Sequence, residues 1–213
     1  MYVPPAFAVP ELPRLHEFME RYSFAMLVTQ TEQGPFATHL PCLLDRNSGE
    51  FGTLVGHVAR ANPHAELFSS AAQSTGEVST ADSLVLFAGP HAYVSPSWYE
   101  ESPAVPTWNY QAVHAYGRPV RITDEVELLS ILERSVDQYE RHRPQPWRMD
   151  ADSTFIQRLL PQIVGFRMEL TRLEGKFKVS QNQSVTRRER VVQQLERIGS
   201  DDALAIARAI PLV

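Results

Sequence analysis

Apolar side chains at Leu12, Leu15, Phe18, Met19 and Tyr22 recur at helical spacing, so the chain opens with an amphipathic helix that has Pro13 near its start. From Phe24 the period changes to two. FAMLVTQT (24–31) and PFATHLPCLLD (35–45) read as strands joined by the hairpin turn EQG, and FGTLVGH (51–57) follows the turn RNSGE as a third strand. A polar stretch, AAQSTGEVSTAD (71–82), leads into SLVLFAG (83–89) and then HAYVS. After a Pro- and Ser-rich loop comes VPTWNYQAVHAYG (105–117). Its period of two puts Trp108, Tyr110, Ala112, His114 and Tyr116 on one side, and Thr107, Asn109, Gln111, Val113 and Ala115 on the other. Neither face is plain aliphatic core or a charged surface, as expected of a barrel strand between two packed environments.

Asp124 and Glu127 mark the start of a second helix, whose residues Leu128, Leu129, Leu132, Val136 and Tyr139 form one apolar stripe. IQRLLPQ (156–162) is a shorter helical piece. Val164, Phe166, Met168 and Leu170 then alternate with Gly165, Arg167, Glu169 and Thr171 as a half-buried strand. Thr186 and Glu189 have capping-box spacing, Gly199 reads as a helix stop, and Ser200 begins a last short helix. About six strands in hairpin order predict a mainly β protein, a small antiparallel barrel in one domain over residues 1–213. Peripheral helices are expected at about 10–22, 124–142 and 186–210.

Composition narrows the function classes. Hydrophobic residues make up 43% of 213 and charged residues 21%, an ordinary globular balance. The apolar runs FAMLV and SLVLFAG are too short to cross a bilayer, and MYVPPAFAVPELPRL lacks the build of a signal peptide. The single cysteine, Cys42, makes no internal disulfide and reads as an inert core thiol. The expectation is a cytoplasmic protein with no membrane association. A net charge of −5 argues against DNA binding by general attraction, and Arg187, Arg188 and Arg190, interrupted by Glu189, read as a solvated helix face.

Two stretches could carry chemistry. In GHVARANPHAEL (56–67), Asn62-Pro63 reads as a helix start, so His57, Arg60 and Asn62 could hold a phosphate near exposed N–H groups. A capped helix with a surface arginine accounts for the same residues. In LEGKFKVSQNQS (173–184), Lys176, Lys178, Ser180, Gln181 and Asn182 share one loop, suited to a phosphate or a polar heterocycle, or simply to water. Trp98 and Tyr99 read as a cap on the barrel end. His39, His57, His91 and His114 lie on or near different strands with no paired metal-ligand spacing, so no metal site is expected. A single axial haem histidine stays open. Patterns for nucleophilic hydrolysis, nucleotide triphosphates or dinucleotides are absent from the sequence.

MYVPPAF, GHVARANPH, GPHAYVSPSWY, VPTWNYQAVHAYG and EGKFKVSQN, in this order, resemble the PaiB family of FMN-binding negative transcriptional regulators. That family is similar to the flavin split-barrel superfamily related to pyridoxamine 5′-phosphate oxidase. The resemblance implies a six-stranded antiparallel FMN-binding split barrel with peripheral α-helices, and a homodimer with FMN at its interface. It further implies that Thr38, His39, Leu40 and Pro41 edge the isoalloxazine, and that Thr53, His57, Arg60 and Asn62 form the phosphate region. The oxidases' Arg-Lys pair is replaced here by Val58, Ala59 and Arg60. Lys176, Ser180, Gln181 and Asn182 would contribute from the partner subunit, and Trp108 and Asn109 would lie at the cofactor edge. His114 is expected to be a hydrogen-bonded core histidine. The regulatory role implied for the family needs either direct DNA contact, which charge and motifs do not favour, or an indirect route. A flavin-dependent oxidoreductase or flavin reductase acting on a small molecule, and a haem-handling split barrel, are the alternatives.

Overall fold

The computed structural model describes residues 1–68 and 82–212, so most of the polar stretch 71–82 lies outside the described residues. In chain order the elements are β1 (Ala8–Val9), α1 (Leu12–Arg21), β2 (Phe24–Thr31), β3 (Gly34–Pro41), β4 (Leu43–Asp45) and β5 (Thr53–Ala59). Next come α2 (His64–Leu67), β6 (Ser83–Val94), β7 (Thr107–Gly117), β8 (Val120–Ile122) and α3 (Glu125–Glu140). The chain closes with α4 (Thr154–Leu159), β9 (Ile163–Lys178), α5 (Val185–Ile198) and α6 (Asp201–Ala209).

The architecture is the expected mainly β, antiparallel sheet with helices around it. The described residues hold nine strands, against six expected from sequence. The hydrogen-bonded order is β3-β2-β6-β7-β9-β5-β4, and β1 and β8 also pair with β9. The three additions are the short β1 and β8 and the division of 35–45 into β3 and β4. That division changes partners: β3 pairs antiparallel with β2, and β4 with β5. Pro41 has no N–H to continue the first ladder, and the N–H of Cys42 donates to the Ser23 carbonyl at 2.9 Å.

The larger departure is β9. Its 16 residues include Glu174, Gly175, Lys176, Phe177 and Lys178, which the sequence reading places in a loop. Gly175 ends the aliphatic alternation and looks like a turn signal. It is glycine because α1 lies against the strand there: a Cβ would come within 2.2 Å of Leu15 Cδ2.

Packing divides the described chain into two compact units. One comprises Met1–Tyr22, Leu86–His114 and Leu173–Val213. Within it β1 pairs with β9, and Phe18 of α1 packs on Phe177 with ring centroids 5.0 Å apart. A core of Val94, Tyr99, Val191, Leu195 and Ile206 joins α5 and α6 to the ends of β6 and β9. Tyr99 is buried in that core with Trp98 packed against it, which fits the expected capping role. Ser184, rather than Thr186, caps α5 by accepting from the Arg187 N–H; Gly199 (φ +69°) ends the helix and Ser200 caps α6.

The other unit comprises Ser23–Val85 and Ala115–Arg172. Its β2–β3 hairpin turns through Gly34 at φ +112°. β5 and β8 flank β9, so that Val55 and Val120 both pair with Arg167. α3, capped by Asp124 as expected, contributes Leu128 and Ile131 to a core with Leu43, Val55, Ile122 and Leu160. Among the described residues no helix is long and apolar enough to cross a membrane.

Candidate functional site

The candidate residues fall into one group in each unit. In the unit containing β3 and β5, the pleat turns Leu40 into the core, leaves Thr38 half-buried and exposes His39, whose ring lies 6.3 Å from Phe24. Thr38 is the junction of a polar chain. Asn62 Nδ2 donates to Thr38 Oγ1 at 3.1 Å, and Thr38 Oγ1 lies 2.7 Å from His64 Nδ1. His64 Nε2 is 3.2 Å from Thr29 Oγ1, which is 2.6 Å from Ser83 Oγ. Asn62 Oδ1 also accepts the His64 N–H at 3.0 Å, so the side chain caps the short α2 as the Asn-Pro pair predicts.

His64 is 0% exposed, and burial pushes its pKa down to about 4. A neutral imidazole then accepts from one threonine and donates to the other, fixing both hydroxyls. His57 is half-buried, and burial lowers its pKa as well. Both rings are neutral at neutral pH, so Arg60 is the cation of this group.

Arg60 Nε donates to the Pro161 carbonyl and an Nη donates to the Ile163 carbonyl at 3.2 Å, while the backbone N–H of Arg60 bonds Gln162. Carbonyls orient a guanidinium without neutralising it. Thr53 stands at the opposite end of β5, where its hydroxyl donates to Ser48. Four residue steps of strand, about 13 Å, separate it from His57. Sequence order alone groups Thr53 with the turn; the extended strand holds it away. The structure joins Asn62 to Thr38 and holds Arg60 against 161–163.

The other unit holds the second group. Trp108 is 53% exposed, with the rings of His91 and Tyr93 6.0 and 5.8 Å away. One position on, Asn109 is 0% exposed, and its Nδ2 donates to Ser180 Oγ at 2.8 Å. Its Oδ1 has no hydrogen-bond partner among the described residues. An unpaired buried amide oxygen costs about 1–3 kcal/mol, a cost tolerated where a ligand satisfies it. Ser180 holds φ +60°, a left-handed conformation that few non-glycine residues adopt. Gln181 folds back on the strand end, accepting from Val179 N–H and donating to the Phe177 carbonyl, and so braces that turn.

The two lysines differ from a solvated loop. Lys176 is buried on β9, donates to the Tyr2 carbonyl at 3.1 Å, and lies 5.3 and 5.2 Å from the Tyr2 and Tyr110 ring centres. Lys178 donates to Thr107 Oγ1 and to the Trp108 carbonyl. Burial, and then Lys176 nearby, lower its pKa. Asn109, Lys178, Ser180 and Asn182 line a cleft of about 500 Å³.

Sequence reasoning missed His64, Thr29 and Ser83. The Asn62-Pro63-His64 run offers a weak signal for the histidine, but Thr29 and Ser83 lie 54 residues apart with nothing to link them. His114 lies within β7 and is half-buried, not in the core position expected from sequence. Cys42 is buried, which raises its thiol pKa to about 12, in line with an inert core position. Among the described residues no group of three or more His, Cys, Asp or Glu could hold a metal.

Comparison with known proteins gives these groups a context. Residues 1–172 match the family model described as "Putative FMN-binding domain". Over 209 residues the chain is 36% identical to the Bacillus subtilis "Protease synthase and sporulation protein PAI 2", covering 97% of this chain and 95% of that protein. It is 33% identical over 251 residues to an uncharacterized Aspergillus fumigatus protein, covering 99% and 96% of the two chains. The FAD and heme binding protein from Mycobacterium smegmatis shares the fold at a TM-score of 0.58 and 16% identity, over 80% of this chain and 73% of that one. The flavocytochrome Anf3 from Azotobacter vinelandii does so at 0.58 and 13% identity, over 80% and 69%. A split-barrel fold, a family match over residues 1–172 and a relative matched nearly end to end agree: the chain belongs to the PaiB family of FMN-binding split-barrel proteins.

Proposed function

We propose that the protein binds FMN between two copies of the chain and acts as a flavin-dependent regulator. The observation that carries this reading is the FMN-binding family match over residues 1–172. The residues present suit the cofactor. Arg60 offers a guanidinium oriented by carbonyls, and half-buried Asn62 keeps a second amide proton besides the one it gives to Thr38. In this reading Arg60, Asn62 and His57 serve the phosphate region, Thr53 stands outside it at the far end of β5, and Thr38, His39, Leu40 and Pro41 edge the ring. From the second copy, Trp108 and Asn109 meet the cofactor edge, and Lys176, Ser180, Gln181 and Asn182 complete the polar surround. The exposed Trp108 and Tyr93 support an interface, because such aromatics are enriched where chains associate.

When bound, FMN supplies electron-transfer chemistry; the chain binds it, orients it and sets its surroundings. The reading makes regulation indirect, through the state of the flavin protein, since the net charge of −5 gives poor attraction to DNA phosphates. Arg60→Ala tests the phosphate assignment. Losing a charge-assisted contact worth roughly 1.5 kcal/mol or more weakens FMN binding about tenfold or more in a fluorescence titration. Unchanged affinity removes Arg60 from the site.

A further inference from the structure

The cleft of about 500 Å³ in the unit built from 1–22, 86–114 and 173–213 has two unlike walls. Phe7, Tyr99 and Val105 supply apolar surface, and Asn109, Lys178 and Arg187 supply polar atoms. Asn109 is fully buried, yet its Oδ1 is unpartnered among the described residues and the residue lines this cleft. Because Nδ2 is committed to Ser180, the oxygen can accept one donor from whatever enters. The cations are not equivalent. Arg187 is already paired with Glu101 at 2.9 Å, whereas Lys178 donates to a hydroxyl and a carbonyl, neither of which carries charge. Among the described residues the polar wall therefore has one cation without a charged partner, and one unmet acceptor buried in a residue that lines it.

We propose that this cleft binds a small organic acid that sets its carboxylate on Lys178, an N–H or O–H donor on Asn109 Oδ1, and an apolar group against Tyr99 and Val105. A single carboxylate fits better than a phosphate: Lys178 has no charged partner among the described residues and one of its three N–H donors still unused, and Glu101 on the neighbouring arginine repels a second negative charge. A bound carboxylate would also offset the burial and the Lys176 repulsion that lower the Lys178 pKa. Asn109, Ser180 and Asn182 are also among the residues proposed for the flavin. The inference rests on that reading only in placing the acid alongside the cofactor; binding of the acid does not require it.

The probe is hippurate (N-benzoylglycine), which combines an aromatic ring, an amide N–H and a carboxylate. Calorimetric titration of the wild-type protein, with and without FMN, is compared with titration of the neutral hippurate methyl ester. The acid is expected to bind at least tenfold more tightly than the ester, and Lys178→Met to remove most of that preference. The acid–ester comparison on the wild type needs no variant to fold. Equal binding of acid and ester, or no binding of either, overturns the proposal. Competitive displacement of hippurate by FMN also overturns it, because the cleft is then the flavin's own. A protein that takes up no FMN but still selects the acid defeats the flavin reading and leaves this one standing.

Discussion

His64 is fully buried, and both its ring nitrogens lie within hydrogen-bond distance of threonine hydroxyls. Its pKa is held at about 4, against 6.5 for an ordinary histidine, by loss of solvation. The folded chain keeps the ring neutral while the unfolded chain takes up a proton below 6.5, so stability falls as pH drops from 6.5 towards 4. The full effect is roughly 3 kcal/mol, and His57 adds to it in the same direction. Urea unfolding at pH 7.5 and about 4.5 checks this: the wild type loses more stability between the two than His64→Phe does, although the variant starts lower because two hydroxyls lose their partner. Equal losses contradict the assignment. The sequence marks Asn62-Pro63 as a helix start, but not the histidine behind it. Its partners, Thr29 and Thr38, come from β2 and β3, and only the folded sheet brings them to it.

Where local signals and tertiary packing agree, element boundaries are legible in the chain. The Asp124 cap, the Gly199 stop and the Ser200 cap are all local chemistry, and all stand where the pattern puts them. The start of α5 shows how local patterns compete. Thr186 and Glu189 have the spacing of a capping box, but Ser184 reaches the Arg187 N–H and begins the helix earlier. Ser184→Ala is therefore expected to cost about 1 kcal/mol of unfolding free energy, and Thr186→Ala less than about 0.5 kcal/mol. The reverse order would restore Thr186 as the cap. β9 departs furthest from the pattern because Gly175 and the lysines look like a polar loop. Tertiary contacts recover them for the strand: Leu15 fills the space over the glycine, and the rings of Tyr2 and Tyr110 cover Lys176.

At the scale of the molecule, hairpin order and strand spacing are enough to predict an antiparallel barrel, and five motifs in sequence are enough to suggest the family. The site is less legible, since its residues come from segments far apart in the chain and their roles depend on what each side chain meets. Arg60 reads as a bare surface cation in sequence and is held by two carbonyls in the fold. Asn109 reads as one polar residue in a strand and is a buried amide with one oxygen unmatched. Arg60 suits an anionic group such as the flavin phosphate, and the Asn109 oxygen suits an N–H or O–H donor. The most direct test is to purify the protein, incubate it with FMN, remove free flavin and record the absorption spectrum. The account predicts a flavin spectrum that stays with the protein and a dissociation constant of about 1 μM or tighter, roughly −8 kcal/mol. A colourless protein, or one that ignores FMN and takes up haem with a Soret band, contradicts it.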